Sequence, residues 1–387
     1  MKIAYITNYD LTKSHKWPIT QLGMCQAADS LAKQLSKHFQ VEFIGDLHKK
    51  KNPITRLKWL FYHHVSHKDY YRWAEPFVVR EYNQQIENKL GETPCDIIFC
   101  AENALLSPYL KTSKPVIIWT DAPLAALIDF YPYMSNLCRE TRKNIISLEE
   151  KAFFKSEKII FSSNWAADFA IKKYRINPNK IHVFPWGANL KTQPQKEMIY
   201  QEINLRSRSL PIKLLFIGKE WERKGGSKAL EITRLLNSKG LPTELTVIGC
   251  KPIQGNNIPH FLKVLGYIDK NQKSGWEEIS RIMLQSHFLL LLSEAETYGQ
   301  VLCEANAFGI PCLTTDVGGF SSVIENGVNG QRFSINSSPE ECCKYISELA
   351  LNPEKYESIA ISTLNEYSHR LNWETTAEKV KVLIEEI

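Results

Sequence analysis

Short apolar bursts and longer stretches of helical spacing alternate along this chain. The opening KIAYIT reads as a buried parallel strand, because a strand covered on both faces needs an unbroken apolar run. Residues 22 to 38, LGMCQAADSLAKQLSKH, place Ala28, Leu31 and Leu35 at helical spacing, and VEFIGDL follows as a second strand. The rhythm continues with DIIFCA at 96 to 101, PVIIWT at 115 to 120, KIIFSS at 158 to 163 and KIHVFP at 180 to 185. From about 191 to 210 the sequence turns polar and irregular, KTQPQKEMIYQEINLRSRSL, which predicts a linker. It then restarts with KLLFIG at 213 to 218, ELTVIG at 244 to 249, VLGYI at 264 to 268, FLLLLS at 288 to 293 and PCLTT at 311 to 315. Strands alternating with helices predict an α/β protein with two doubly wound sheets, the first domain spanning 1–190.

Composition narrows the class. At 387 residues the chain is too long for one small module, and 43% apolar with 23% charged residues excludes long disordered or collagen-like tracts. The longest apolar run, FLLLLS, is far shorter than the roughly 18 residues of a spanning helix. MKIAYITNYD turns polar too soon for a secretory leader. The nine cysteines are odd in number, lack any Cys-x-x-Cys pair and include the adjacent Cys342 and Cys343, which fits neither a disulfide ladder nor a zinc site. A cytoplasmic location is expected.

Charge is unevenly placed. Residues 1 to 190 hold 26 Lys/Arg against 18 Asp/Glu, whereas residues 191 to 387 hold 22 against 24. An anionic partner for the first half, either a phosphate-bearing substrate or an acidic membrane face, stands beside the plainer reading of a basic solvated surface. Residues 49 to 73, KKKNPITRLKWLFYHHVSHKDYYRW, combine basic residues with Trp59, Phe61, Tyr62, Tyr70, Tyr71 and Trp73. Such a segment can lie peripherally on the inner face of a membrane, or it can turn its apolar side to the core behind a basic back. Single-stranded nucleic acid suits the composition too, but no nucleic-acid motif accompanies it and none is expected as partner.

The candidate chemistry lies in the second half. In KLLFIGKEWERKGGSKALEITRLL a strand, a turn and a helix are predicted, with Arg223 and Lys224 beside Gly225 and Gly226. A helix start with free N–H groups and two fixed cations makes an anion cradle suited to a diphosphate. In SEAETYGQVLCEANAFGIPCL, Glu296 and Glu304 lie eight residues apart around Gly299. With Glu296 on the loop leaving a strand and Glu304 in the next helix, both carboxylates could face the carboxyl edge of the sheet and accept from sugar or ribose hydroxyls. TTDVGGFSSVIENGVNG at 314 to 330 adds a turn-rich loop after the next strand.

The order FIGxxWxRKGG, then VxGxxx, then ETYGQVLCEANAFGIPCLTTDVGGFSSVIENGVNG, resembles the donor domain of retaining glycosyltransferases of family 4, the group 1 glycosyltransferases with the GT-B fold. WTDAPLAALIDFYP at 119 to 132 and SSNWAADFAIKKYRINPNKIHVFPWGANL at 162 to 190 are similar to the family's first domain. The resemblance implies two Rossmann-like domains facing a cleft, with an acceptor-binding domain at 1–190, a linker at 191–210, a nucleotide-sugar domain at 211–368 and a closing helix at 369–387 that returns to the first domain. It implies retaining sugar transfer from a UDP- or GDP-sugar to a glycan, lipid-linked or small-molecule acceptor, with no cofactor and no metal. Arg223 and Lys224 would hold the diphosphate, Glu296 the donor sugar and Glu304 the ribose. Gly266 and Tyr267 would hold the base, and Gly218, Tyr298, Gly299, Gln300, Val301 and Leu302 would complete the donor site.

The first loop departs from the family. Many relatives carry a Gly-containing loop there, whereas this chain has HKWPITQLGM with no glycine before Gly23. His15, Trp17, Thr20 and Asp121 are the acceptor-side candidates, Asp121 standing nearest to the family's first-domain histidine. A helix-capping role for Asp121 is the structural alternative. An inverting transferase with Asp121 or His15 as base, and a non-catalytic nucleotide-sugar-binding scaffold, remain as rival readings.

Overall fold

The computed structural model describes residues 1–48, 50, 52–252 and 259–387, so Lys49 and Lys51 of the basic segment lie outside the described residues. The chain divides into two units, Met1–Pro185 with Thr376–Ile387, and Trp186–Thr375.

In the first unit β1 (Lys2–Ile6), β2 (Gln40–Ile44), β3 (Ile97–Ala101), β4 (Val116–Thr120), β5 (Lys158–Phe161) and β6 (Ile181–Val183) form a parallel sheet in the order β2-β1-β3-β4-β5-β6. Every residue of β3 and β4 is buried, which is why IIFCA and VIIWT contain no polar residue until the final Thr120. The winding direction reverses between β1 and β3, where loops leaving neighbouring strands diverge and open a crevice at the carboxyl edge.

Glu102 stands at that edge, just after β3, with the uncommon φ of +102°. Asn8, just after β1, donates from its backbone N (3.2 Å) and its side-chain Nδ2 (2.8 Å) to Glu102 Oε2. The other oxygen, Oε1, is buried with no hydrogen-bond partner among the described residues. Burial pushes the Glu102 carboxyl up from the usual 4.5 to about 7, against the lowering effect of the Asn8 donors. Next to it, the loop after β4 is fixed from beneath. Glu149, buried in helix Arg139–Lys155, accepts from Leu124 N (2.5 Å), Ala125 N (3.0 Å) and Tyr174 Oη (2.7 Å). A carboxylate on the first N–H groups of helix Leu124–Leu127 caps it.

The segment at 53–64 inverts the usual amphipathic arrangement. Helix Pro53–His64 starts from an Asn52 cap whose side chain accepts from Ile54 N, and Pro53 supplies the preset first turn. Its apolar side chains face outward, so the core-facing alternative does not describe it.

In the second unit β7 (Ile212–Ile217), β8 (Thr243–Ile248), β9 (Leu262–Gly266), β10 (Phe288–Leu291), β11 (Cys312–Thr315) and β12 (Gly330–Phe333) form a second parallel sheet, ordered β12-β11-β10-β7-β8-β9. Counted from β7, that is the strand order of dinucleotide-binding sheets, with its reversal between β7 and β10. β12 has no counterpart in the sequence reading, because GQRF is short and three of its four residues are only partly buried. The stretch read as linker contains helix Lys196–Ser207, which belongs to this unit. Ile199 and Ile203 are buried, and Arg206 donates to the carbonyls of Ser286 (2.6 Å), Phe308 (3.2 Å) and Gly309 (3.0 Å). The last helix, Trp373–Glu385, buries Ala377, Val380, Leu383 and Ile384; from Thr376 onward it belongs to the first unit, where Glu378 pairs with His38 at 3.0 Å.

The Glu102 carboxyl binds its proton more tightly in the folded protein than in the unfolded chain. Between about pH 4.5 and pH 7 the folded state therefore holds more protons, and stability falls as pH rises through that window. The shift corresponds to an upper limit of about 3 kcal/mol. Glu102→Gln keeps an acceptor for Asn8 and cannot ionise. Denaturant unfolding should find the variant more stable than the parent at pH 8 and similar to it at pH 4.5; Glu149 titrates in the same direction in both proteins and cancels in the comparison.

Candidate functional site

The loops leaving β7 and β10 meet at the reversal of the second sheet. Gly225, at φ +77°, begins helix Gly226–Ser238, and a Cβ there would stand 2.2 Å from the Leu292 carbonyl oxygen. A Cβ on Gly226 would stand 2.2 Å from the Trp221 ring. Glycine at both positions lets the first turn of the helix press against β10 and the Trp221 ring together. The contact is locked by a backbone bond from Glu294 N to the Arg223 carbonyl, 2.8 Å.

This approach brings Arg223, Lys224 and Glu296 together. Lys224 Nζ lies 2.7 Å from Glu296 Oε2, and Arg223 Nη1 lies 3.6 Å from the same oxygen. Arg223 is oriented further by a fork onto Glu220, Nε at 2.9 Å and Nη2 at 2.7 Å, and by Nη1 donating to the Ala295 carbonyl at 2.6 Å. Gly218, the residue after β7, leaves space for Lys224, since a Cβ there would meet Lys224 Cδ at 2.5 Å. Two cations and one carboxylate at a carboxyl edge, beside a helix start, can hold an anionic group while accepting from a hydroxyl.

Glu304 sits in helix Gln300–Asn306, which begins at Gly299 with φ +85°; a Cβ at Gly299 would meet the Phe320 ring at 2.6 Å. Glu304 is largely buried and its Oε1 accepts from Lys270 Nζ at 2.7 Å. The two glutamates thus stand on the loop and the helix that the spacing predicts, each with a lysine as partner. Gln300 Oε1 accepts from Asn189 Nδ2 at 3.0 Å, Val301 is half-buried and Leu302 is wholly buried. Tyr298 points into the core, its hydroxyl donating to the Trp186 carbonyl at 2.7 Å, so its side chain supports the loop from within. At the end of β9, Gly266 has φ +69° and accepts from Gly249 N at 2.7 Å, while Tyr267 is exposed.

The acceptor-side candidates all lie in the first unit, on loops leaving its strands. Asp121 follows β4 and accepts from Ala122 N at 2.8 Å, while Ser162 Oγ donates to its carbonyl at 3.0 Å. It does not cap helix Leu124–Leu127, since Glu149 takes those donors. After β1 the chain makes two 3₁₀ turns, Ser14–Lys16 and Ile19–Gln21, in place of a glycine loop. His15 and Thr20 are exposed there, and Trp17 is half-buried with Nε1 donating to the Asp10 carbonyl at 3.0 Å.

Sequence reasoning missed Lys270, Asn8 and Glu102. Lys270 follows β9 in a polar stretch with nothing to single it out. Glu102 did leave a signal, a carboxylate directly after the apolar run IIFCA, at the strand end where α/β sheets place their chemistry. Among the described residues no group of three or more His, Cys, Asp or Glu is placed to hold a metal ion.

Residues 202–363 match the family model "Glycosyl transferases group 1". Among curated proteins, Spore coat protein SA of Bacillus subtilis is 24% identical over 212 residues, covering 50% of this chain and 55% of that protein. A D-inositol 3-phosphate glycosyltransferase of Actinosynnema mirum is 24% identical over 254 residues, covering 62% and 60%. The chain thus spans about half the length of the first of these relatives. Among solved structures, a glycosyltransferase from Rickettsia africae superposes with a TM-score of 0.66 at 14% identity, covering 100% of this chain and 98% of that one. Anabaena HepE in complex with UDP and glucose gives 0.63 at 14% identity, with both chains covered in full. These likenesses establish the fold, two Rossmann-like α/β units of the GT-B glycosyltransferase kind, and the family match falls on the unit that carries Arg223, Lys224, Glu296 and Glu304.

Proposed function

We propose that this chain is a glycosyltransferase that moves a sugar from a nucleotide diphosphate sugar to a hydroxyl acceptor with retention of anomeric configuration. The observation that carries the reading is the convergence of Arg223, Lys224 and Glu296 where β7 and β10 diverge. It coincides with the matched segment. A diphosphate placed at the start of helix Gly226–Ser238 meets Lys224 and Arg223, and a sugar beyond it meets Glu296. Glu304, one helical segment further on, accepts from the ribose hydroxyls, with Gly266 and Tyr267 beside the base. HepE, whose fold this chain shares, has been seen with UDP-glucose, which supports a donor of the UDP- or GDP-sugar type.

In the proposed reaction the bond from the anomeric carbon to the diphosphate oxygen breaks as the acceptor oxygen bonds to the same face. The acceptor's proton passes to the departing phosphate oxygen. No nucleophile on the protein is required. Charge grows on the diphosphate as the bond breaks, and Lys224 and Arg223 stabilise it in place of a divalent cation. Asp121, His15, Trp17 and Thr20 are the acceptor-side groups of the first unit, and a glycan or lipid-linked hydroxyl is the acceptor class. Catalysis without metal or cofactor belongs to the same reading; the sequence has no Asp-x-Asp pair to carry a cation on the donor.

Three outcomes are expected with a panel of UDP- and GDP-sugars. First, Lys224→Ala lowers turnover by about 10²- to 10³-fold, the loss seen when one donor to a developing anion is removed. Glu304→Ala instead weakens nucleotide-sugar binding by about tenfold or more while leaving the rate at saturation closer to the parent, as measured by calorimetry and kinetics. If both variants behave as the parent with folding intact, the site is wrongly placed. Second, activity persists in excess EDTA; inhibition reversed by magnesium or manganese would assign the charge-stabilising role to a metal. Third, the anomeric proton coupling of the first-formed product, read by NMR, matches that of the donor. Inversion would require a base, for which Asp121 and His15 are the first variants to make.

A further inference from the structure

Helix Pro53–His64 is attached to the first unit by polar side chains and exposes its apolar ones. One stripe faces inward: Thr55, Lys58 and Tyr62, at helical spacing of three and four. Thr55 is buried, Lys58 Nζ reaches Glu75 Oε1 at 2.9 Å and Glu140 Oε1 at 2.6 Å, and Tyr62 Oη donates to Glu140 Oε2 at 3.2 Å. Tyr62 also stacks on Tyr70, whose hydroxyl donates to Glu75 at 2.6 Å. The remaining sides carry Ile54 (55% exposed), Leu57 (67%), Leu60 (39%) and Phe61 (53%), with Trp59 on one flank and Val65 just past the end. A helix that turns a half-buried lysine inward and exposes two leucines and a phenylalanine gains its hydrophobic stabilisation only when something covers that face.

The charge around this face indicates what covers it. From Leu47 to Lys68 there is no Asp or Glu, yet the stretch holds six Lys/Arg and four of the ten histidines of the chain. Lys58 is consumed by its two glutamates, but Lys50, Arg56, His63, His64 and Lys68 are exposed around the apolar side chains. A second copy of the chain is a poor occupant, because a two-fold interface would set this cationic stretch against itself. Apolar side chains ringed by cations, with a tryptophan at the margin, suit the boundary between acyl chains and anionic headgroups. No helix among the described residues is long and apolar enough to cross a membrane, so attachment through this helix would be peripheral.

We propose that helix Pro53–His64 docks the protein on an anionic lipid bilayer, with Leu57, Leu60 and Phe61 entering the interface and Lys50, Arg56 and the histidines meeting the headgroups. The proposal goes beyond the sugar-transfer reading and does not depend on it. The test is flotation of the full chain with vesicles of phosphatidylcholine alone or of equal parts phosphatidylcholine and phosphatidylglycerol. The parent should float with the anionic vesicles, less well as salt is raised, and little with phosphatidylcholine. A Leu57→Gln, Phe61→Gln double variant should lose binding by more than about tenfold with an unchanged melting temperature, since both side chains are exposed in the folded protein. Arg56→Gln should weaken binding at low salt and matter less at high salt. Failure of the parent to float, or flotation of the double variant equal to the parent's, overturns the proposal. So does a concentration-dependent dimer in lipid-free sedimentation that the double variant abolishes.

Discussion

A close approach of two backbones governs the second unit. The first turn of helix Gly226–Ser238 lies against the end of β10 so tightly that residue 225 has no room for a Cβ, and residue 226 has none beside the Trp221 ring. Any larger residue at 225 would push the loop after β7 away from Leu292 and break the Glu294 N to Arg223 carbonyl bond. Lys224 and Arg223 would then move off Glu296. The ion pairs therefore depend on packing, and the packing depends on two adjacent glycines, one of them in a left-handed conformation that other residues adopt only with strain. The same device recurs after β10, where Gly299 opens the helix of Glu304 against Phe320.

The first unit joins its two central strands differently. Its reversal between β1 and β3 is bridged by side chains, Asn8 to Glu102, with one carboxyl oxygen left without a partner among the described residues. Glu296 shares its oxygen with cations, whereas the neighbours of Glu102 are the amide Asn8 and uncharged groups. Burial therefore decides the protonation of Glu102. Two carboxylates at corresponding edges of two similar sheets thus have different chemistry because their neighbours differ.

Most of the sheet framework was legible: the eight central strands must be apolar on both faces, as in IIFCA and VIIWT, and edge strands β2, β6 and β9 still carry short apolar runs. Edge strand β12 was not, since GQRF needs cover on one side only. Helix Lys196–Ser207 was hidden by Arg206, a buried cation that pattern reading counts as surface although its Nη1 and Nη2 donate to three carbonyls. The Glu296 and Glu304 spacing pointed to the correct loop and helix, but the lysine partners come from after β7 and β9, and no local pattern predicts contacts across 34 or 72 residues. The orientation of helix Pro53–His64 was ambiguous for a related reason. Its composition fits either direction, and the choice is made by Glu75 and Glu140, which lie 17 and 82 residues along the chain and capture Lys58.

The contrast between Arg223 and Lys224 bears on how the proposed site would work. Arg223 is held by a fork onto Glu220 and by the Ala295 carbonyl, so its position is set before any ligand arrives. Lys224 is a point charge on a flexible stem, with its ammonium 2.7 Å from Glu296. On the proposed reading a diphosphate would compete with Glu296 for Lys224, and a carboxylate that gives up its lysine regains an acceptor oxygen for a sugar hydroxyl. Donor binding would then exchange one ion pair for another. Because the exchanged pair is mostly buried, Lys224→Arg would not be conservative: it would put a planar, multidentate fork where a point charge on a stem packed beside Gly218 now stands.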